Sequence, residues 1–292
     1  MALIIPGKKK DLGGGFVVNR LLPAIERRTV GPFVFLDHFG PTVIGAEMNI
    51  DVRPHPHVGL ATVTYLMDGA MMHRDSLGSS QRIEPGAINW MTAGRGIVHS
   101  ERRPEDLRGK RYGLHGLQMW VALPRALEEQ PPQFAHTGAA ELPAFEEQGV
   151  TVRVLVGTAF GRRSPVKPAS ETLLVSVICR AGSNFRLPVL AEEMAVLPVS
   201  TTVTVDGVIV PAGSLAVLAD RTEYGIQASE GGELVVVGGA PVDGPRHLWW
   251  NFVSSSEDRI RRAADDWANG RFDRVEGETE SIPLPPLPQS LR

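Results

Sequence analysis

The chain has 292 residues, 42% hydrophobic and 22% charged, with a net charge of −3 at pH 7. That length suits two domains of ordinary size, and the composition is that of a globular protein rather than a disordered or fibrous one. The weak negative charge gives no electrostatic case for nucleic acid as a direct partner, the lack of an apolar run of about 18 residues leaves no candidate for a membrane-spanning helix, and the lone Cys179 leaves no intrachain disulfide to form.

Near the N-terminus, Lys8, Lys9 and Lys10 form a short basic run that reads as a solvated segment rather than an import signal or a nucleic-acid patch. No apolar secretory h-region accompanies it, so the expected compartment is the cytoplasm. Residues 60–67 are rich in β-branched and aromatic types, which predicts a strand. Asp68 and Gly69 make a turn, and His73, Arg74 and Asp75 follow it as a solvated hairpin loop. Glu84, Pro85 and Gly86 form another turn, and residues 88–92 are again strand-like. Short strands with Gly/Pro turns at close intervals predict an antiparallel barrel or sandwich.

Two pairs of side chains bracket this stretch: His55 with His57, and His99 with Glu101. Residues two apart on a strand share a face, so each pair can aim two donor atoms at one point across a barrel. Three imidazoles and a carboxylate suit a divalent transition metal, and imidazole accepts Fe, Cu, Ni and Zn alike. Gly94 and Gly96 allow a tight turn and a close backbone approach beside that metal. Asp37, His38, His73, Asp75 and Gln118 are candidates to hold the ligand rings, with the solvated-loop reading favoured for His73 and Asp75. Phe39, Trp90, Met91, Leu117 and Trp120 could wall a pocket, and for most of them plain barrel core is favoured.

Breakers at Pro124, Pro131, Pro132 and Pro143 place a boundary near residue 140, giving expected domains of 1–140 and 141–292. Strand rhythm returns at 150–157, 173–179, 194–197, 201–205, 214–218 and 233–238, separated by good turn chemistry such as Asp206-Gly207. Cys179 falls in one of these apolar runs as inert core. No histidine occurs from Val150 through Arg246, so this half cannot repeat the metal site. Trp249 and Trp250 face opposite ways if extended, one anchoring the domain interface and one lying under the next element. That element is a helix: Ser256 caps it, Glu257 and Asp258 are its first-turn acids, Ile260, Ala263, Ala264 and Trp267 recur at helical spacing, and Gly270 ends it. It is expected to pack outside a barrel. Residues 282–288 have polyproline character and are expected to lie along the protein's own surface.

The segments 35–39, 55–59, 90–101, 113–121 and 249–255 together resemble the pirin family of the cupin superfamily over nearly the whole chain. The resemblance implies an all-β bicupin: two jelly-roll-like cupin β-barrels, a C-terminal α-helix, and one metal, usually iron, in the N-terminal barrel. It implies His55, His57, His99 and Glu101 as ligands. Two departures stand out. Many relatives carry Glu where this chain has Ala61, and Asn where it has Ala122, which leaves Glu101 as the motif carboxylate for a catalytic base. The implied activity is that of a metal-dependent dioxygenase similar to quercetin 2,3-dioxygenase, taking a small phenol such as a flavonol. The alternative is a metal-dependent regulatory binding protein acting through a protein partner, either a transcription regulator or a metabolic enzyme.

Overall fold

The computed structural model describes residues 2–13, 15–219 and 221–288. Strands are the dominant element, and the one α-helix among the described residues is Glu257–Ala268. The strands build two β-barrels, so the all-β bicupin architecture expected from the sequence is the one observed. In the first barrel a seven-stranded sheet runs in the order Gln133–Thr137, Ile88–Thr92, Leu60–Asp68, Tyr112–Ala122, Phe33–Ile44, Val17–Leu22, Lys8–Asp11. It faces a four-stranded sheet of Val52–His57, Ile97–Arg102, Met71–Asp75 and Ser80–Ile83. The second barrel repeats the plan, with a seven-stranded sheet from Leu3–Pro6 to Ala144–Glu147 and a four-stranded sheet around Glu223–Ala228.

The two ends of the chain cross between barrels. Leu3–Pro6 pairs with Ser214–Val217 in the second barrel, in the register Leu3 to Val217, before the chain enters the first. At the other end, the hairpin of His247–Trp249 and Phe252–Ser254 returns to the first barrel, where the Val253 N–H donates to the Val58 carbonyl at 3.1 Å. Strands 133–137 and 144–147 fall on either side of residue 140, each in a different barrel.

The large sheets pack face to face. Alternation along Leu60–Asp68 sends Ala61, Val63 and Tyr65 toward Leu155, Leu174, Leu197, Val235 and Val237 of the second barrel. Each fully buried aliphatic of this kind stabilises the fold by about 1.5–3 kcal/mol, so the joint is a second core rather than a mobile interface. The second barrel's own interior is filled by Val152, Val154, Val175, Val177, Phe185, Val196 and Val236. Cys179 lies there with its thiol pushed up to about 11 by burial, which makes it inert.

The helix lays Ile260, Ala263 and Ala264 on Val58 and Phe252, outside the first barrel as expected. Ser256 sits at its N-cap in extended conformation without a side-chain capping bond, so the first-turn acids Glu257 and Asp258 face the positive helix end alone. The following segment lies along the same surface. The Ile282 N–H donates to the Pro54 carbonyl at 2.8 Å, and the Trp267 indole N–H to the Ile282 carbonyl at 3.0 Å. No helix of the described residues is long and apolar enough to cross a membrane.

Candidate metal centre

The strands Val52–His57 and Ile97–Arg102 are antiparallel neighbours, with His55 opposite His99 and His57 opposite Ile97. This register puts His55, His57 and His99 on one face, toward the barrel interior. The pairing slips by one residue between His99 and Glu101, so Glu101 lies opposite Val52. The glycines before His99 serve a different close approach from the one expected. A Cβ on Gly94, whose φ is +53°, would lie 2.0 Å from the Gln130 carbonyl oxygen, and one on Gly96 would lie 2.9 Å from the Phe272 ring.

The three imidazoles are buried, and each offers a ring nitrogen within 4.8 Å of the other two. The Nε2 atoms of His57 and His99 are 3.1 Å apart. Their tautomers follow from their partners. His55 Nδ1 lies 2.9 Å from the Arg53 carbonyl, and His57 Nδ1 lies 3.0 Å from the Asn251 carbonyl. A carbonyl only accepts, so both Nδ1 atoms carry hydrogen and both Nε2 atoms are bare. Burial pushes the His55 ring down to about 4 and holds His57 and His99 well below their ordinary value. Three neutral rings with lone pairs converging are poorly satisfied by one another and well satisfied by a cation. Bonds of about 2.0–2.1 Å to a shared ion place two imidazole nitrogens roughly 3.0–3.4 Å apart, and the observed 3.1 Å fits.

Glu101 lines the same cavity, but its carboxylate does not lie within 4.8 Å of all three nitrogens. Burial in the barrel pushes its carboxyl up to about 7, and its remaining exposure is to the cavity.

The cavity has a volume of about 440 Å³. Phe16, Val18, Phe35, Phe39, Met71 and Trp120 form apolar walls, and Arg20, Asp37 and Gln118 add polar groups. Phe35 and Trp120 stack with centroids 4.1 Å apart and planes 14° from parallel. Arg20 donates two bonds of 2.8 Å to the Asp37 carboxylate and lies 4.4 Å from the Phe35 ring centroid. The returning hairpin closes the site with Leu248, Trp250 and Asn251.

Asp37 and Gln118 line this cavity, as does Phe39, while Met91 is core and Trp90 and Leu117 face the second barrel. His38 does not reach it. Its neighbour Asp37 points inward, so His38 points out, where its Nε2 meets His115 Nε2 at 2.8 Å. His73 and Asp75 are not a solvated loop. They belong to the strand Met71–Asp75 beside the ligand strand, at 5% and 1% exposure. His73 Nε2 lies 2.9 Å from an Asp75 carboxylate oxygen, and His73 Nδ1 lies 3.4 Å from His99 Nδ1. Ala61 faces the second barrel, opposite Val121, so a carboxylate there would point away from the imidazoles. Thr62, opposite Trp120, is the residue on the cavity face. Trp249 and Trp250 both join the cluster under the helix, and Trp250 also reaches the cavity. Arg20, Phe35 and Asn251 were not anticipated. The alternation Phe35, Asp37, Phe39 could have pointed to Phe35, whereas nothing local marks the Asn251 carbonyl.

Comparison with known proteins matches residues 15–121 to the Pirin family model and residues 174–273 to the Pirin C-terminal cupin domain. A pirin-like protein of Caulobacter vibrioides is 45% identical over 287 residues, covering 97% of this chain and 99% of its own length. A Pseudomonas aeruginosa protein provisionally named quercetin 2,3-dioxygenase is 37% identical, covering 98% of this chain and 91% of its own. The crystal structure titled quercetin 2,3-dioxygenase from Acinetobacter baumannii is 34% identical and covers 100% of this chain and 97% of that one, with a TM-score of 0.93.

Proposed function

The chain belongs to the pirin family, and from that membership we propose that it is a metal-dependent dioxygenase opening a flavonol-like phenol at a centre of His55, His57, His99 and Glu101. The observation that carries this reading is the convergence of three neutral imidazoles in an aromatic-walled cavity of about 440 Å³. The names carried by the Pseudomonas and Acinetobacter relatives support the reaction class. A divalent ion there, iron first and copper, nickel or zinc otherwise, supplies Lewis acidity that lowers the pKa of a phenolic hydroxyl.

The chain's own residues supply binding and proton transfer. The Phe35 and Trp120 rings offer flat apolar surface to a planar substrate. Arg20, held by Asp37, places a fixed cation on the same wall. Glu101 is the carboxyl group on the cavity wall beside the imidazoles, and burial raises its pKa in the metal-free protein. Such a group can take the flavonol 3-hydroxyl proton and return it to product. Both atoms of dioxygen enter the product, the heterocycle opens and carbon monoxide leaves.

One observation favours a second reading, a metal-dependent regulatory protein. The ligand strand is tied to the C-terminal segment, since Glu278 accepts from Ser100 Oγ at 2.8 Å and from Arg102 Nε at 3.0 Å. A change at His99 or Glu101 therefore reaches an outer surface that a protein partner could read. Oxygen uptake separates the two. Iron-reconstituted protein should consume oxygen and release carbon monoxide with quercetin, and His57→Ala should do neither. Equal uptake by His57→Ala would overturn the dioxygenase reading, and a partner retained only by metal-loaded protein, without turnover, would favour the second.

A further inference from the structure

We propose that Asp75 and His73 form a positioning relay for the ligand ring of His99, fixing it with Nε2 toward the ion and Nδ1 tied back. The proposal rests on the metal-site reading and is independent of the dioxygenase chemistry. Each ligand ring needs its Nδ1 hydrogen held so that the Nε2 lone pair is free. For His55 and His57 a backbone carbonyl does this, at 2.9 and 3.0 Å. For His99 the partner is another imidazole, with the two Nδ1 atoms 3.4 Å apart. Two facing ring nitrogens can bond only if one carries hydrogen and the other a lone pair.

Asp75 decides which. Its carboxylate oxygen lies 2.9 Å from His73 Nε2, and a carboxylate accepts. The His73 hydrogen therefore sits on Nε2, its Nδ1 is bare, and it accepts from the Nδ1–H of His99. The other oxygen of Asp75 is fixed by the N–H groups of Leu77 and Ser79, at 2.9 and 3.0 Å. The His73 ring is fixed by stacking on Phe134, with centroids 4.2 Å apart and planes 9° from parallel. The strands hold the register, pairing His99 with Asp75 and Glu101 with His73.

The relay differs from the two carbonyl partners because it ends on a buried negative charge. That charge favours hydrogen on His73 Nε2 and, through it, on His99 Nδ1, which keeps the His99 Nε2 lone pair free. The relay's longest link, at 3.4 Å, exceeds the roughly 2.9–3.0 Å of an optimal N–H bond. The effect of removing it should thus fall at the low end of the 10–100-fold range typical of such outer partners, about tenfold in metal affinity.

Nitrogen-15 NMR of the Zn(II)-loaded protein should show His73 protonated at Nε2 and bare at Nδ1. A proton on His73 Nδ1 would overturn the relay. His73→Phe keeps the stack on Phe134 and removes the acceptor. Chelator competition should find its Ni(II) affinity about tenfold weaker in protein shown to be folded by circular dichroism. Unchanged Ni(II) affinity in folded His73→Phe would overturn the proposal. If that variant does not fold, the nearly isosteric Asp75→Asn takes its place, with weakened Ni(II) binding expected and unchanged binding overturning the relay. Wild-type protein that binds neither ion would defeat the metal-site reading itself, a separate outcome.

Discussion

Lowering the pH of the metal-free protein from 7 to 4 should destabilise it through the buried imidazoles. Burial pushes the His55 ring down to about 4, from 6.5 in the unfolded chain. In the window between those values the unfolded chain binds a proton and the folded ring does not. The ring's contribution is complete above 6.5 and is lost as the pH falls toward 4. At 1.36 kcal/mol per pKa unit, that is about 3 kcal/mol for His55 alone. His57 and His99, held well below 6.5, act with the same sign. So does His38, pushed down to about 4 by burial and by His115. Glu101 opposes them. Its carboxyl is raised from 4.5 to about 7, so its contribution is present when protonated and is lost as the pH rises through that interval, again about 3 kcal/mol. Asp37 and Glu233, also raised by burial, act with Glu101, and the four rings together outweigh them, leaving a net loss on acidification. Urea unfolding of chelator-stripped protein at pH 7, 6 and 5 measures it. A midpoint that is constant or rises from pH 6 to 5 would refute the buried, neutral state assigned to the cluster.

Glu101→Gln should lower quercetin-dependent oxygen uptake by about 10²–10⁴-fold while the three imidazoles still retain iron; undiminished uptake would remove Glu101 from the chemistry. Thr62→Glu places a carboxylate on the cavity face and should tighten Ni(II) binding in chelator competition. Ala61→Glu buries one between the barrels and should cost several kcal/mol in urea unfolding without changing Ni(II) affinity. The reverse pattern would contradict the register of Leu60–Asp68.

Much of the site was legible because period-two spacing is a local signal. His55, His57 and His99 needed only their i, i+2 pattern and two strands. The same rule, applied to Met71, His73 and Asp75, would have placed them on one strand face; the nearby turn residues and the charge of Arg74 hid it. Applied to Asp37 and His38, it would have separated the residue in the cavity from the one outside. The one-residue offset between Ala61 and Thr62 depends on pairing with Trp120 and Val121, which only the sheet supplies. Three further features are long-range and leave no local trace: the bond from His57 to Asn251, the pairing of Leu3–Pro6 with the second barrel, and the shift between His99 and Glu101.

The central claim is that His55, His57 and His99 share one metal ion. Elemental analysis after Fe(II) reconstitution and desalting tests it most directly. The wild type should hold about one iron per chain and the His57→Ala, His99→Ala double variant none. Equal iron in that variant, or none in correctly folded wild type, would contradict it.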